Sequence, residues 1–575
     1  MTQIPQTSEN TSSESLKALA ELVEILHRED IEFTDDMDLR NESSRDASIF
    51  TKTPQIIIYP RNSSEIGTVV RSISKPLSLS TRAGGTCMTG APLTDSVLLN
   101  LTKHMGYIEV DPKAKIAIVE MGAMYKDIET KTMIDNLYLA SYPSSREFCG
   151  IGGMIGNNAS GEKSLRYGAT IDNVISIKAV LRDGFEYEFE ELSENDFLKK
   201  TKSEGFEGEI YASVYESILK HKKALGDLQE KHPVKKCASG YRIDRVISVH
   251  KKQDGTIEHR YNLAPLFVGS QSTLGIITEA KIKLTRKQEH RKMIFMGVKE
   301  LSELPIILKT ILSHDPESVE TFDIHTFERA KTFHPEDTNR IENLINEGIA
   351  KLTNSPSPKN ESIKKFGYTL FVIAEFAGDI QEVVFEQAKD TAKELNALHD
   401  LHVFNIDHDD TEAYNSIWNI RRTSFGVMRD FKDGTKHAVP CIEDVIVPTS
   451  KFDVFIPKLI KILEDQNIFY GFHGHIGDGS LRIIPVFDLA DSEVVAKIDT
   501  LCRSVFELIK GLGGNMSADH SDGIIRTPYL KEFYGDEIYN IFVQIKNTFD
   551  PEHIFNPGKK IGGTVEDIKK NIIEV

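Results

Sequence analysis

Three glycine-rich stretches, all in the first half of the chain, constrain this sequence more than anything else in it. They are Thr81-Arg82-Ala83-Gly84-Gly85-Thr86-Cys87, then Cys149-Gly150-Ile151-Gly152-Gly153-Met154-Ile155-Gly156-Asn157-Asn158-Ala159-Ser160-Gly161, and Gly269-Ser270-Gln271-Ser272-Thr273-Leu274-Gly275. Glycine lets backbone N–H groups come close to a phosphate and takes up positive φ, and neighbouring Ser, Thr and Asn add donors. Any one of them reads equally well as a tight turn, but three together read as a diphosphate cradle. None is a Gly-x-Gly-x-x-Gly opening a helix with an acid about twenty residues on, and none ends in Gly-Lys-Ser/Thr, so nicotinamide and nucleoside-triphosphate folds lose ground.

The 575 residues, 40% hydrophobic and 27% charged, are enough for two or three domains with their own cores. From Thr53 to about Leu284, short β-branched runs at 54–59, 95–100 and 115–120 alternate with helical segments such as 64–74, an α+β pattern. From about His290 to Pro448, amphipathic helices at 301–312 and 380–398 flank few strands, among them 368–376. Beyond Pro448, helices at about 453–464, 492–512 and 536–549 surround two loops dense in His, Asp and Gly. The expected division is a tail and helix over 1–45, a glycine-loop domain over 46–287 with 192–263 as an elaboration inside it, a helix-on-sheet domain over 288–455, and a segment over 456–575 that completes the site.

The net charge of -18 and the lack of a long basic run exclude a phosphate-tracking nucleic-acid binder. An anionic substrate must therefore be drawn by a local cationic pocket. Five scattered cysteines without a Cys-x-x-Cys pair suit a reducing compartment and predict no iron-sulfur cluster and no four-cysteine zinc site in this chain. No apolar stretch approaches the roughly twenty residues of a bilayer span. A cytoplasmic location is expected, with peripheral membrane contact left open.

The densest chemistry lies in Gly471-Phe472-His473-Gly474-His475-Ile476-Gly477-Asp478-Gly479-Ser480-Leu481-Arg482 and in Met516-Ser517-Ala518-Asp519-His520-Ser521-Asp522-Gly523-Ile524-Ile525-Arg526. Histidines and carboxylates amid flexible glycines suit a metal site or proton transfer, and otherwise a solvated polar loop.

In order, the glycine strings resemble the flavin domain of the vanillyl-alcohol oxidase superfamily, the p-cresol methylhydroxylase type. Its usual forms are close to R-G-G-G-T-S, C-T-I-G-G-M-I-A-N-N-S-S-G followed by R-Y-G, and G-S-E-G-T-L-G-I-I-T. The histidine strings, with the closing Phe549-Asp550-Pro551 to Asn556-Pro557-Gly558-Lys559, look like the D-lactate and D-2-hydroxyglutarate dehydrogenase branch, and the likeness runs from about Asp46 to Gly563. It implies a two-subdomain FAD-binding domain, a ferredoxin-like α+β substrate cap and a helical C-terminal segment. FAD would lie on Arg82, Ala83, Gly84, Gly85, Thr86 and Cys87, then on Gly152, Gly153, Asn157, Asn158, Ser160 and Gly161 with Tyr167 and Gly168. It would also touch Gly269, Ser270, Gly275, Ile276 and Ile277, and Asn556. Departures are Ala83 and Cys87 for Gly and Ser, and Gln271-Ser272 for Glu-Gly; all keep small or polar character.

By the same likeness His520 is the catalytic base, Arg526 belongs to its signature, and Arg421 with Lys436, fifteen residues on, grips the substrate carboxylate. His475 and Asp519 match ligands of a divalent metal, zinc or manganese. The second ligand histidine is expected seven residues after His475, where Arg482 stands, and arginine stays protonated and cannot ligate. Either His473 substitutes, or the guanidinium itself supplies the positive charge. The implied reaction is FAD-dependent oxidation of a small D-2-hydroxy acid to the 2-oxo acid, with electrons leaving to a separate quinone or redox protein; a homo-oligomer is compatible with the sequence. Two rival readings are a redox-neutral lyase or transferase like alkyl-glycerone-phosphate synthase and a non-catalytic flavin subunit of a larger complex.

Overall fold

The computed structural model describes residues 13–252, 254–353, 362–398, 401–429 and 432–574. Ile56, Ile57 and Ile58 are all buried, as a parallel strand covered on both faces requires. Ile56–Ile58 and Leu79–Arg82 both run parallel to Val97–Asn100, and Phe33–Thr34 adds an antiparallel edge. The helix Ser13–Arg28 buries Leu19, Leu22, Val23 and Leu26, one stripe at helical spacing, while Asn62 caps Ser63–Ser72 by accepting from the Glu65 amide.

A second sheet is antiparallel, in the order Ile108–Asp111, Ile116–Glu120, Ile276–Lys283, Val174–Val180, Glu186–Phe189. The stretch 192–263 adds a small sheet and the helices Phe206–Lys220 and Lys222–Lys231. Its Phe197, Ile210 and Tyr211 share one continuous core with both sheets.

The cap is built on a nine-stranded sheet. Along Leu370–Gly378, Leu370, Val372, Ala374 and Phe376 pack on one side, and Phe371 and Ile373 on the other. Strict alternation puts helices on both faces. The first face carries Leu304–Leu312, Gln381–Leu398, Phe452–Asp465 and Val494–Gly511; the second carries Ile324–Phe333 and Thr411–Arg429, anchored by the buried Trp418.

The boundary expected at 455 does not divide this sheet. Phe469–Gly474 and Ser480–Asp488, from the C-terminal segment, are its inner strands, with His473 opposite Arg482. Helix Leu530–Phe549 instead returns to the first domain through Ile541, Phe542, Ile545 and Phe549. The chain's last quarter thus joins the two domains, and the His-bearing loops sit where they meet. Among the described residues no helix is long and apolar enough to cross a membrane.

Candidate active site

A cavity of about 400 Å³ opens between the two domains, and all three glycine turns reach it. Arg82 to Cys87, Gly152, Gly153, Asn157, Ile277 and Asn556 line it, as do Gln271 and Ser272. The glycines serve two purposes. At Gly84 a Cβ would sit 2.0 Å from the Phe148 carbonyl oxygen, so glycine there permits two turns to touch. At Gly156 a Cβ would meet nothing within 4 Å, and at Gly153 only the Ala83 methyl at 3.8 Å, so these two leave room in the cradle itself.

The departures Gln271 and Ser272 both hold positive φ, 54° and 59°, in the left-handed region uncommon for residues with a Cβ. Interactions across the turns hold them there: Gln271 Nε2 donates to Asn157 Oδ1 at 2.9 Å, its Oε1 accepts from the Gly523 amide at 2.8 Å, and the Ser272 hydroxyl meets that of Thr81.

The other predicted FAD residues stand behind this wall. Asn158 and Gly168 shape the backbone at positive φ; Gly161 lies against the Tyr142 carbonyl, where a Cβ would come within 2.0 Å. The Ser160 hydroxyl donates to Asp519, and the Tyr167 phenol to Glu317 at 3.2 Å. Gly269 offers its carbonyl to Ser521 Oγ at 2.9 Å; Ser270, Gly275 and Ile276 complete the turn and strand without lining the cavity. Cys149 is buried, and burial pushes its thiol up to about 12, which makes it a packing group rather than a nucleophile.

His520 stands in the cavity wall. Its Nδ1 faces Glu443 Oε1 at 2.7 Å. Burial pushes the Glu443 carboxyl up, but His520 and Arg526 outweigh it and hold it at about 2. An ionised carboxylate only accepts, so Nδ1 carries the hydrogen of this bond and Nε2 points the other way. Arg482 Nη1 donates to that Nε2 at 3.3 Å. Arg526, fully buried, does not reach the cavity; it is 2.8 Å from both Glu443 Oε1 and Asp444 Oδ1 and fixes the carboxylate that fixes the imidazole.

His475 repeats the arrangement. Its Nδ1 lies 2.7 Å from Glu320 Oε1, and its Nε2 accepts from Arg482 Nη2 at 3.1 Å. Burial, with Arg482 and Lys236 nearby, holds this imidazole well below its ordinary pKa, hence neutral. Burial also pushes the Glu320 carboxyl up to about 7 despite Arg421 at 2.6 Å, yet in either protonation state one oxygen accepts from Nδ1. Asp519 completes the cluster: Arg482 Nη2 bonds Oδ2 at 2.7 Å and Lys236 reaches Oδ1 at 3.1 Å.

Two predicted residues are placed elsewhere. Lys436 is exposed and lies opposite Asp488 in the strand register, six residues along the strand from Arg482, about 20 Å at ~3.3 Å per residue. It does not line the cavity. Arg421 is sealed behind His475 in its ion pair with Glu320, whereas Phe425 and Arg429 of the same helix do line the cavity. The helical period turns that face toward the cradle.

FAD-family models match both domains: the FAD binding domain over residues 54–189, and the C-terminal domain of the FAD linked oxidases over 287–560. The chain thus matches an FAD binding domain followed by the C-terminal domain of the FAD linked oxidases. A D-2-hydroxyglutarate dehydrogenase of Pseudomonas putida is 24% identical over 528 residues, 90% of this chain and 49% of that protein. The chain thus spans about half the length of the first curated relatives it matches. A mitochondrial D-lactate dehydrogenase [cytochrome] of Saccharomyces cerevisiae is 23% identical over 521 residues, 88% of this chain and 72% of that one.

Among solved structures, the 4-ethylphenol oxidase of Gulosibacter chungangensis superposes with a TM-score of 0.64 at 17% identity, covering 97% of this chain and 99% of that one. An alkyldihydroxyacetonephosphate synthase gives 0.62 at 17%, covering 97% and 87%. Both likenesses concern the fold.

The cradle suits an FAD: open space over Gly153 and Gly156, and a wall of turn backbone with apolar Leu101, Met121 and Ile277. A divalent cation does not fit between His475 and Asp519, because the Arg482 guanidinium bonds both of the atoms that would ligate it. His473, buried and neutral, has no bond to this cluster; burial, then Arg421 and Arg482, push its pKa far down. Glu443, Asp444 and His520 lie close enough to hold an ion, but Arg526 already pairs with both acids, and Asp444 Oδ2 accepts the Asp519 and His520 amides at 2.8 Å each.

Sequence reasoning missed Glu443, Asp444, Glu320 and Lys236. Three of the four carried a readable signal: an acidic pair inside Val439-Pro440-Cys441-Ile442 and Val445-Ile446-Val447, and an acid within the strand Ser318–Asp323. Carboxylates in apolar runs are buried charges that need partners.

The depressed carboxylates make acid stability a test. Burial pushes Glu162 up, but Arg422 at 2.6 Å outweighs it and holds it at about 2, as His520 and Arg526 hold Glu443. Unfolded Glu titrates near ~4.3, so both groups stabilise the fold above that pH and lose the contribution as pH falls toward 2; for Glu162 this is roughly 3 kcal/mol. The melting temperature is expected to drop steeply from about pH 5 to about pH 3; an unchanged value over that interval would contradict the pairing.

Proposed function

We propose that this chain oxidises the α-hydroxyl of a small D-2-hydroxy acid, of the D-lactate or D-2-hydroxyglutarate type, to the 2-oxo acid. The observation that carries the reading is His520, whose Nε2 faces Arg482 at the cavity wall while its Nδ1 is committed to Glu443. The names of the Pseudomonas putida and Saccharomyces cerevisiae relatives support the substrate class.

Arg82 to Cys87, Gly152, Gly153, Asn157, Ile277 and Asn556 would hold FAD along the cavity. When bound, FAD supplies the two-electron acceptor for the hydride leaving the substrate carbon. His520 Nε2 takes the hydroxyl proton, and Glu443 keeps the ring in the tautomer that can do so. Arg482 and Arg429 give the cavity the positive charge that an anionic substrate needs in so acidic a protein. Electrons pass on to a separate acceptor, a quinone or a redox protein; the yeast relative's name specifies a cytochrome.

A redox-neutral transferase has only the fold in its favour, and a non-catalytic subunit would have no use for a carboxylate-locked imidazole beside the cradle. The deciding experiment is anaerobic mixing of the yellow, flavin-loaded protein with paired D- and L-2-hydroxy acids. Bleaching by at least one D-acid and not its L-partner is expected; a spectrum that none of them changes would end the reading.

A further inference from the structure

Two histidines in this site present the same arrangement. His475 and His520 each commit Nδ1 to a buried glutamate, Glu320 and Glu443, and each turns Nε2 toward the Arg482 guanidinium, His475 with the Asp519 carboxylate at Nη2 and His520 at Nη1. Carboxylate–histidine pairs converging with a further carboxylate are what a protein builds around a divalent cation, because the outer acid fixes the tautomer and raises the ligand's basicity. Here the cation's place is filled from within the chain. The Arg482 guanidinium donates to His475 Nε2 at 3.1 Å, Asp519 Oδ2 at 2.7 Å and His520 Nε2 at 3.3 Å.

We infer that Arg482 is a built-in cation standing where a divalent metal would otherwise sit, so that the site works without metal. Strand register puts it there: Arg482 lies opposite His473 on adjacent inner strands of the cap sheet, is 5% exposed, and still lines the cavity. Its charge is permanent and delocalised, so it balances Asp519 without depending on ion supply. Its Nε has no partner among the described residues.

The catalytic part of the inference rests on the proposed oxidation. There the O–H bond of the substrate breaks, its proton goes to His520 Nε2, the C–H pair leaves as hydride to FAD, and a C=O bond forms. The long 3.3 Å contact from Arg482 to His520 Nε2 is the one most readily exchanged for the substrate oxygen, which frees the base and places positive charge against the developing alkoxide.

The test uses the flavin-loaded full chain, exposed to excess zinc or manganese chloride, desalted, and measured by elemental analysis. The unaltered protein is expected to keep no metal above the buffer blank, and EDTA should leave its flavin reduction rate unchanged. Arg482→His, which restores the histidine that the resembling branch carries, is expected to retain about one zinc per chain, since two imidazoles and a carboxylate suffice for a zinc site. Arg482→Gln keeps much of the shape without the charge, and reduction should slow by ~100-fold or more with flavin still bound.

Metal retained by the unaltered protein, activity lost to EDTA, or an Arg482→His protein that folds yet binds no zinc would each overturn the inference. Should Arg482→His fail to load flavin, Arg482→Gln decides alone, and an undiminished rate would count against it. Failure of the functional reading looks different: no 2-hydroxy acid would bleach the flavin, while the metal pattern would stand.

Discussion

His520→Ala is expected to slow reduction of bound flavin by a D-2-hydroxy acid by at least ~100-fold, the usual scale for removing a general base. The flavin should stay bound, because the three glycine turns and Asn556 do not depend on this side chain for their conformation; only the His520 carbonyl, which the substitution keeps, meets Gln271 Nε2, at 3.4 Å. The measurement is anaerobic stopped-flow bleaching at saturating substrate, beside the flavin content of the purified variant. An undiminished rate would move the base to another residue. His475 is a poor alternative, since it is buried behind Arg482, bonded at both ring nitrogens, and does not line the cavity.

Glu443→Gln should lower the turnover number by ~10²- to 10⁴-fold with little change in KM, the pattern seen when the acid orienting a catalytic imidazole is neutralised. The amide can donate to Nδ1 and stabilise the wrong tautomer, leaving the hydrogen on Nε2 where the substrate proton should go. Because Glu443 touches neither cradle nor substrate, it is a positioning residue, and the separation of kcat from KM distinguishes that role from a general loss of structure. Glu443→Asp, which keeps the charge, should recover part of the rate. Arg526 keeps its 2.8 Å ion pair with Asp444 in the glutamine variant, so the fold should survive. Equal losses in kcat and flavin content would refute the positioning role.

The sequence exposes parts of this site unequally, and the difference follows from chemistry. Glycine at Gly84, Gly153 and Gly156 is legible because the backbone approach it permits is a local property, written at consecutive positions. His520 is legible because a histidine between two aspartates in a glycine-bounded loop is unusual by itself. The resemblance pairs Lys436 with Arg421, the first choice, as a carboxylate grip, yet strand pairing carries it to the exposed end of the sheet. Arg526 enters only as part of the His520 signature, and the structure makes it the counter-ion of two acids that lie more than eighty residues away in sequence.

From sequence alone came the α+β architecture, the three-turn cradle and the histidine-rich strings at the end of the cap, all matters of residue type, periodicity and spacing; the misfit of Arg482 with metal ligation came from the family resemblance. Only the tertiary structure decided that Phe469–Gly474 and Ser480–Asp488 belong inside the cap sheet, that Glu320 and Glu443 stand behind the two histidines, and that the Arg482 guanidinium lies between them. A buried charge is stable only with a partner, and a partner 155 residues away, as Glu320 is from His475, is chosen by strand pairing and domain docking rather than by neighbours along the chain.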